Sequence, residues 1–480
     1  MKNIYTILTT AFLLVPMLSS AQMEGGFIPS PVDFHNYSVS HLKTTDELPS
    51  KYDSRDFGYI TPSRNQVIAG TCWAFATCDA VEALSNKLGY SDGYLSPQLM
   101  SNCHYGFLLT KTQGGNFEMA TSIMANMQSL AYEDSFPYVA LDEVCPDFTP
   151  DDFPAYTLGA YFLPSGDITA IKQCIMDYGA VGASMFYDSK YLSGNVYKCT
   201  GEEAANHAVS LIGWNDNERV FLAKFNWGAS MFDNGVLKIS YDDSVIMSDC
   251  TAFTTRVDKT EVTNAYYYDK SGMFGARIWD GVEKMSTLSY FTPKGKEKLT
   301  RVGTYVAGNS TEITFTVMID SEIPFTKTIQ CPYAGFYSVK LDNPVIVDNT
   351  FIVAVDYGNT VPLESKNEDY NDPTFIPVGS QFIQVNGDDK QTITIGTDAT
   401  DERFRAVNLC TKAYTTDIPT EIKEEESSES EPENVDVYGT DGRFIKNFKS
   451  KNDFLSKGLF IFVEHFKDKP QSKGYLEYRP

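Results

Sequence analysis

The hydrophobic positions follow a helical period over one stretch shortly after residue 70. From Trp73 to Leu88 apolar residues recur about every 3.6 positions, which predicts an amphipathic helix that stops near Gly89. Cys72 directly precedes this run and would lie in the first helical turn. Unpaired backbone N–H groups and the helix dipole favour an anion there, so the pattern predicts a reactive thiolate at Cys72.

Beyond residue 264 the pattern changes from mixed helical and strand-like segments to short alternating runs. Runs such as EITFTVMID and TFIVAVDYG, separated by Gly, Pro, Asn and Asp, predict an all-β sandwich over residues 264–415. Residues 416–434 are dominated by glutamate and have no apolar face, which predicts a solvated acidic linker. Residues 435–480 return to a strand-like pattern and predict a small β-rich tail.

The first 21 residues have the pattern of a secretory signal peptide. Lys2 precedes the apolar run ILTTAFLLVPML, and the small residues SSAQ favour cleavage after Ala21. The run is too short to span a bilayer comfortably, so we expect a mature chain without a transmembrane segment, secreted or on the outer cell surface. Residues 22–47 are polar and fit either a short pro-segment or a spacer.

Composition and charge narrow the function classes. A chain of 480 residues with 42% hydrophobic residues can form two or three packed domains, and a net charge of −24 argues against nucleic acid as a partner. We find no pattern that implies a metal ion or an organic cofactor. All nine cysteines lie beyond the signal, and an odd number leaves at least one thiol unpaired if no bond is intermolecular.

A catalytic thiolate needs a base, and histidine is the side chain suited to that task near neutral pH. Of the five histidines, only His104 and His207 lie in the mixed helix and strand region. His207 opens the apolar run HAVSLIGW, which predicts a ring held rigidly at the start of a buried strand. From spacing alone, a structural role for this ring is the stronger interpretation.

Four stretches together resemble the papain-like cysteine peptidases of bacterial type, the C1 family. NQVIAGTCWAF resembles the family's active-site segment, and NHAVSLIGW resembles its histidine strand. YDSRDFGYITPSRNQ resembles the domain opening, and QGGNFEMA resembles the glycine-pair segment. The resemblance implies an α+β papain-like fold with two lobes over residues 48–257, followed by the all-β sandwich and the small β-rich tail.

The resemblance also implies an endopeptidase that hydrolyses peptide bonds in protein or peptide substrates. Cys72 would be the nucleophile, His207 its ion-pair partner and proton donor, and Gln66 with the Cys72 backbone N–H the oxyanion hole. The residues implied in substrate binding are Gly114, Gly115, Asn116, Phe117, Ser184, Ala205, Asn206 and Trp227.

The chain departs from the family where an asparagine usually orients the histidine ring. The stretch KFNWG places Phe225 at the aligned position and Asn226 one step later, on the opposite face of a strand. Asn226 could serve only if a bulge re-aims it, and Phe225 could instead hold the ring by packing. The alternative function is therefore a catalytically impaired protein that acts as a surface binding or adhesion module.

The disulfides form a further set of expectations. The resemblance implies a bond between Cys103 and Cys145, and a further one is expected between Cys199 and Cys250. Cys331 could pair with Cys410 within the sandwich. Cys78 and Cys174 are expected to be buried and to pack as small hydrophobic residues.

The β-rich regions have resemblances of their own. The sandwich, above all GFYSVKLDNPV, resembles the lectin-like domain that follows bacterial papain-like peptidases, with a glycan or cell-surface component as candidate ligand. The tail weakly resembles the C-terminal sorting domains of type IX secretion in Bacteroidetes. A plain β appendage explains the tail equally well.

Overall fold

The computed structural model describes residues 25–35, 47–128, 130–308, 312–386, 388–418, 434–439, 443–449, 458–465 and 473–479. The expected signal peptide and most of the expected acidic linker lie outside the described residues. The chain divides into two compact units, Met1–Ile418 and Pro419–Pro480. The first unit holds both the region predicted to be papain-like and the β-sandwich.

Four α-helices lie in the first half of the chain. They are α1 (Cys72–Lys87), α2 (Pro97–Asn102), α3 (Phe117–Ala125) and α4 (Ile168–Tyr178). Helix α1 confirms the predicted helix and is buried on nearly all sides from Cys72 to Ser85. A helix that is buried on nearly all sides is a core element, so packing fixes the position of its first turn.

The described part of the first half of the chain contains eleven strands. They are β1 (Lys51–Asp53), β2 (Ala155–Thr157), β3 (Ala160–Leu163), β4 (Val181–Met185), β5 (Leu192–Ser193), β6 (Val196–Tyr197), β7 (His207–Asn215), β8 (Val220–Lys224), β9 (Val236–Ser240), β10 (Cys250–Phe253) and β11 (Arg256–Asp258). Strand β7 pairs antiparallel with β4 and β8, and eight of its nine residues are buried. This confirms the predicted buried strand that begins at His207.

The second half of the first unit is all-β, as predicted. Its strands are β12 (Asn264–Tyr267), β13 (Ala276–Ile278), β14 (Met285–Phe291), β15 (Glu297–Val306), β16 (Glu312–Ile319), β17 (Glu322–Gln330), β18 (Ala334–Val347), β19 (Phe351–Tyr357), β20 (Thr360–Ser365), β21 (Gln381–Val385), β22 (Asp388–Ile395), β23 (Val407–Leu409) and β24 (Lys412–Asp417). A six-stranded sheet has the order β17-β16-β19-β14-β21-β22. Strand β18 pairs antiparallel with β3, so one sheet runs continuously from the mixed region into the sandwich.

The second unit is a four-stranded antiparallel sheet. Its strands are β25 (Asn434–Gly439), β26 (Phe444–Phe448), β27 (Gly458–His465) and β28 (Lys473–Arg479), in the order β26-β25-β27-β28. The β-rich character predicted for the tail is therefore present. Among the described residues, no helix combines the length and apolar character needed to cross a membrane.

Candidate active site

Cys72 is the first residue of α1, the position expected for an activated thiol. Its side chain is fully buried, and burial raises the pKa of the thiol to about 12 although backbone N–H groups of Ala208, Gly26 and Trp73 lie against the sulfur. Burial therefore favours the neutral thiol in this state of the molecule, and a catalytic thiolate at Cys72 stays a prediction. The helix N-terminus does favour an anion, but loss of water outweighs it here.

His207 is the first residue of β7, directly before the residue whose N–H touches the sulfur. Strand pairing thus brings the start of β7 to the start of α1. The imidazole is buried, its Nε2 has no hydrogen-bond partner among the described residues, and burial lowers its pKa to about 3. The expected ion pair is accordingly a neutral thiol and a neutral imidazole in this state.

Two aromatic rings hold the imidazole. The rings of Phe225 and Trp227 stack on His207 with centroid distances of 5.3 and 4.5 Å. Trp227, expected among the substrate-binding residues, therefore contacts the imidazole of His207. Phe225 occupies the place that an orienting asparagine would need, and packing replaces the missing hydrogen bond.

Asn226 does not orient His207, which corrects the tentative catalytic assignment. Its Nδ2 donates to Oδ2 of Asp79, a residue of α1, at 2.7 Å. Lys224 Nζ donates to the other oxygen of Asp79, also at 2.7 Å. The side chains alternate along this stretch, so Asn226 points away from the ring stacked on Phe225 and Trp227.

Gln66 lies in the loop before α1 and is nearly buried. Its Nε2 donates one hydrogen to the carbonyl of Ala69 at 3.1 Å. A side-chain amide has two N–H donors, so one remains for an oxyanion. The loop is held in place because Gln66 N donates to Asn226 O, and Tyr138 Oη donates to Gln66 O.

The N-terminal segment, residues 25–35, occupies the cleft beside the nucleophile. Ile28 N donates to Gly115 O, and Gly115 N donates to Gly26 O, each at 3.0 Å. Phe27 N donates to Asn206 O at 3.3 Å. These bonds make Phe27 and Gly115 a parallel β-bridge, so the expected substrate groove is filled by the chain's own backbone.

The glycine pair is shaped for this backbone contact. Gly114 has a φ of +120°, and a Cβ there would lie 2.0 Å from Gly26 O. A Cβ on Gly115 would lie 2.5 Å from the indole of Trp73. Only glycine permits both the close approach and the local conformation.

The other expected substrate-binding residues surround the same groove. Asn116 caps α3 and its Nδ2 donates to Ile28 O at 2.9 Å. Phe117 packs against Phe27, with ring centroids 5.8 Å apart. Ser184 and Ala205 line a cavity beneath the N-terminal segment. The structure therefore gathers the expected set, except for Trp227, around one groove.

A cluster that sequence reasoning missed lies at the base of this cavity. His35 Nε2 lies 3.0 Å from Asp249 Oδ1 and 3.4 Å from Glu118 Oε1. Burial alone would lower the pKa of His35, but the two carboxylates raise it well above its ordinary value. The three side chains also have the donor atoms and spacing that a metal ion would need, and an imidazolium between two carboxylates satisfies the same geometry.

One of the expected disulfides is present and the others are not. Cys103 and Cys145 are joined, as the resemblance implied. The expected bond between Cys199 and Cys250 is wrong, because their sulfurs are directed to separate partners, the Glu203 carboxylate at 3.7 Å and the Ile246 carbonyl at 3.4 Å. Cys331 and Cys410 are both free and buried, so the suggested bond between them is also wrong. Cys78 and Cys174 are free and buried, as expected.

Comparison with known proteins agrees with this geometry. Residues 48–256 match the papain family cysteine protease model, and residues 265–415 match the lectin like domain model. Human cathepsin L2 is 28% identical over 210 residues, covering 41% of this chain and 62% of that protein. Mouse cathepsin K is 27% identical over 224 residues, covering 45% of this chain and 66% of that protein. The chain thus spans less than two thirds of the length of these relatives.

A solved structure shares the two-domain fold. The cysteine protease and lectin-like domains of Cwp84, described as a surface layer associated protein of Clostridium difficile, superpose with a TM-score of 0.69. That match has 20% identity and covers 82% of this chain and 93% of the other. The family model, rather than this likeness of fold, identifies residues 48–256 as a papain-family C1 cysteine protease domain. A lectin-like domain follows it, and both lie in the first compact unit.

Proposed function

We propose that the chain is an exported cysteine endopeptidase whose N-terminal segment keeps it latent. The observation that carries the proposal is the meeting of α1 and β7, where the Cys72 sulfur lies against the residue that follows His207. In the open cleft Cys72 attacks the scissile carbonyl carbon and His207 protonates the leaving amine. Gln66 Nε2 and the Cys72 backbone N–H stabilise the oxyanion.

Latency follows from what faces the sulfur. The backbone amide of Gly26 lies beside the Cys72 sulfur, so the N-terminal segment occupies the place where a substrate would approach it. The carbonyl of Gly26 is engaged by Gly115 N. Departure of the segment would admit water, reverse the desolvation of both groups and permit the thiolate–imidazolium pair. Residues 22–47 are thus proposed to be a pro-segment and not a spacer.

The test compares Cys72→Ala with Cys78→Ala in a full chain that also carries Gly26→Val, a change expected to displace the segment because a Cβ there would lie 2.0 Å from the carbonyl carbon of Gly70. Both thiols lie on α1 and are buried, but only the Cys72 sulfur lies beside the backbone of Gly26 and Ala208. We expect the first variant to lose peptide hydrolysis and labelling by an epoxysuccinyl thiol probe, and the second to retain both. Equal activity of the Gly26→Val chain with and without Cys72→Ala would overturn the proposal.

The second candidate is a catalytically impaired binding protein, and Phe225 in place of the orienting asparagine is the observation that favours it. It predicts no hydrolysis and no labelling even when the N-terminal segment is displaced. Location at the cell surface, glycan or cell-surface binding by the lectin-like domain and sorting by the tail are proposed on resemblance alone. Failure to retain the full chain on cell-wall material would remove the binding role.

A further inference from the structure

A cavity of about 180 Å³ lies beneath the point where Phe27 pairs with Gly115. One wall belongs to the N-terminal segment and leaves when the segment leaves. The other wall belongs to the protease domain and stays. The residues of the permanent wall are Glu118, Ser184, Ala204, Ala205, Ser248 and Asp249.

The permanent wall carries two carboxylates and no positive charge. The Glu118 and Asp249 side chains are 9% and 15% exposed. Among the described residues that line the cavity, none is a lysine or an arginine. The departing wall contributes the imidazole of His35 and the carboxylate of Asp33. The cavity therefore loses its only basic group when the segment leaves.

The contacts of the two ring nitrogens of His35 indicate that the ring is positively charged between the two carboxylates. His35 Nδ1 lies 2.9 Å from the carbonyl of Leu163 and must donate its hydrogen there. A neutral ring would then turn the lone pair of Nε2 toward both carboxylates, which is repulsive. A protonated ring is instead attracted to both carboxylates, and its Nε2 forms ion pairs at 3.0 Å with Asp249 Oδ1 and at 3.4 Å with Glu118 Oε1.

We propose that Glu118 and Asp249 serve twice, first holding the imidazolium of His35 and then selecting substrates with a lysine or arginine side chain. The inference deepens the proposed peptidase function and rests on it. Gly26 lies over the sulfur and the next residue, Phe27, pairs with Gly115 above the cavity. In a substrate the corresponding position is the second residue before the cleaved bond. A cationic side chain at that position would replace the positive charge that is lost when His35 leaves with the segment.

Hydrolysis measures this selection directly. In the full chain carrying Gly26→Val, which displaces the segment, we expect a peptide with arginine at the second position to exceed its leucine counterpart in kcat/KM by at least about tenfold. Asp249→Asn or Glu118→Gln should reduce that ratio about tenfold, whereas Glu202→Gln, which removes an exposed acid outside the cavity, should leave it unchanged. A leucine preference that Asp249→Asn does not alter would overturn the proposal.

A binding measurement separates this proposal from the proposed chemistry. The full chain with His35→Gln and Cys72→Ala has an uncompensated cavity and cannot hydrolyse the probe. Calorimetry in EDTA would compare an arginine peptide with the same peptide carrying citrulline, which has a similar shape but no charge. Both peptides compete with the same N-terminal segment, so the ratio of their dissociation constants reports the charge preference of the cavity. We expect the arginine peptide to bind about tenfold more tightly, and less so with Asp249→Asn. Equal binding would overturn cation selection whether or not the chain is a peptidase.

Discussion

Two buried sites lie under the same N-terminal segment, and burial affects their charges in opposite ways. At the nucleophile, burial raises the pKa of Cys72 and lowers that of His207, so both groups are neutral. At the base of the cavity, the pKa of His35 is raised well above its ordinary value because Asp249 and Glu118 lie beside it. The difference lies in partners, because a buried charge persists where opposite charges offset its desolvation.

Displacement of the N-terminal segment would change the charges at both sites. Release of the segment would return water to the thiol and imidazole and permit their charged forms. The same release would remove the cation from Glu118 and Asp249 and leave them ready for another. Activation and substrate selection would then depend on the two ends of one short stretch of chain. The largest effects are expected where the segment is displaced outright.

Gly26→Val should expose the nucleophile. A Cβ at Gly26 would lie 2.0 Å from the carbonyl carbon of Gly70, a backbone atom that cannot give way, so the segment cannot seat. If the pKa of the Cys72 thiol then falls from about 12 to an ordinary value near 8.5, its thiolate fraction at pH 7 rises roughly 10³-fold. The rate of Cys72 alkylation by iodoacetamide, followed by peptide mass mapping, measures this change.

Two controls accompany that variant. Gly295→Val makes the same change where nothing lies within 4 Å, and it should leave the rate unchanged. Cys78, buried in the same helix, should stay unreactive and so report that the fold is intact. Slow alkylation of Cys72 in both glycine variants would mean that the domain's own core buries the sulfur.

The pH dependence of alkylation tests the neutral pair without a substitution. With a pKa of about 12, the thiolate fraction of Cys72 in the unaltered chain should rise about tenfold for each pH unit. The rate should therefore rise roughly 100-fold between pH 7 and 9 without a plateau, whereas Gly26→Val should level off at or below about pH 8.5, because the imidazolium that forms beside the sulfur favours the thiolate. A plateau below pH 8 in the unaltered chain would show that a thiolate already exists under the segment.

The charged end of the segment should give a smaller change. His35→Gln removes the cation between Glu118 and Asp249, and we expect Cys72 alkylation at pH 7 to rise about tenfold as the segment loosens. His35→Arg keeps a cation and should remain closer to the unaltered chain. Equal rates for the glutamine variant and the unaltered chain would show that the carboxylates do not hold the segment.

The sign of the pH effect at His35 follows from its raised pKa. A base whose folded-state pKa is raised contributes stability that is fully present below its ordinary value of about 6.5. That contribution is lost as the pH rises through the folded-state pKa, which lies well above the ordinary one. The difference in alkylation rate between His35→Gln and the unaltered chain should therefore persist at pH 7 and shrink in strongly alkaline solution.

Local patterns were enough to predict the catalytic elements. The 3.6-residue period placed α1, and the apolar run after His207 placed β7, because both elements are buried along most of their length. Strand alternation also indicated that Asn226 and Phe225 face opposite sides, which the contact of Asn226 with Asp79 bears out. These features depend on neighbours in sequence or on a motif of fixed spacing.

The missed features depend on contacts between distant residues. The N-terminal segment is short and lacks periodicity, so nothing in it indicates a bridge to Gly115. The buried role of His35 requires Glu118 and Asp249, which come from different elements and have no common motif. Cysteine positions alone likewise do not encode where each sulfur points, which is why the pairing of Cys199 with Cys250 was wrong.

The smallest expected effect concerns the ring that replaces the orienting asparagine. Phe225→Leu keeps an apolar side chain but removes the aromatic face stacked on His207, and we expect kcat/KM to fall about fivefold in the open Gly26→Val background. Phe232→Leu is the matched control, since Phe232 packs against Phe225 and Trp227 without a ring contact to His207. Positioning by the stack predicts a loss in kcat with KM little changed. Equal losses in the two variants would assign Phe225 to general packing, because a leucine at either position removes similar aromatic volume from the same cluster.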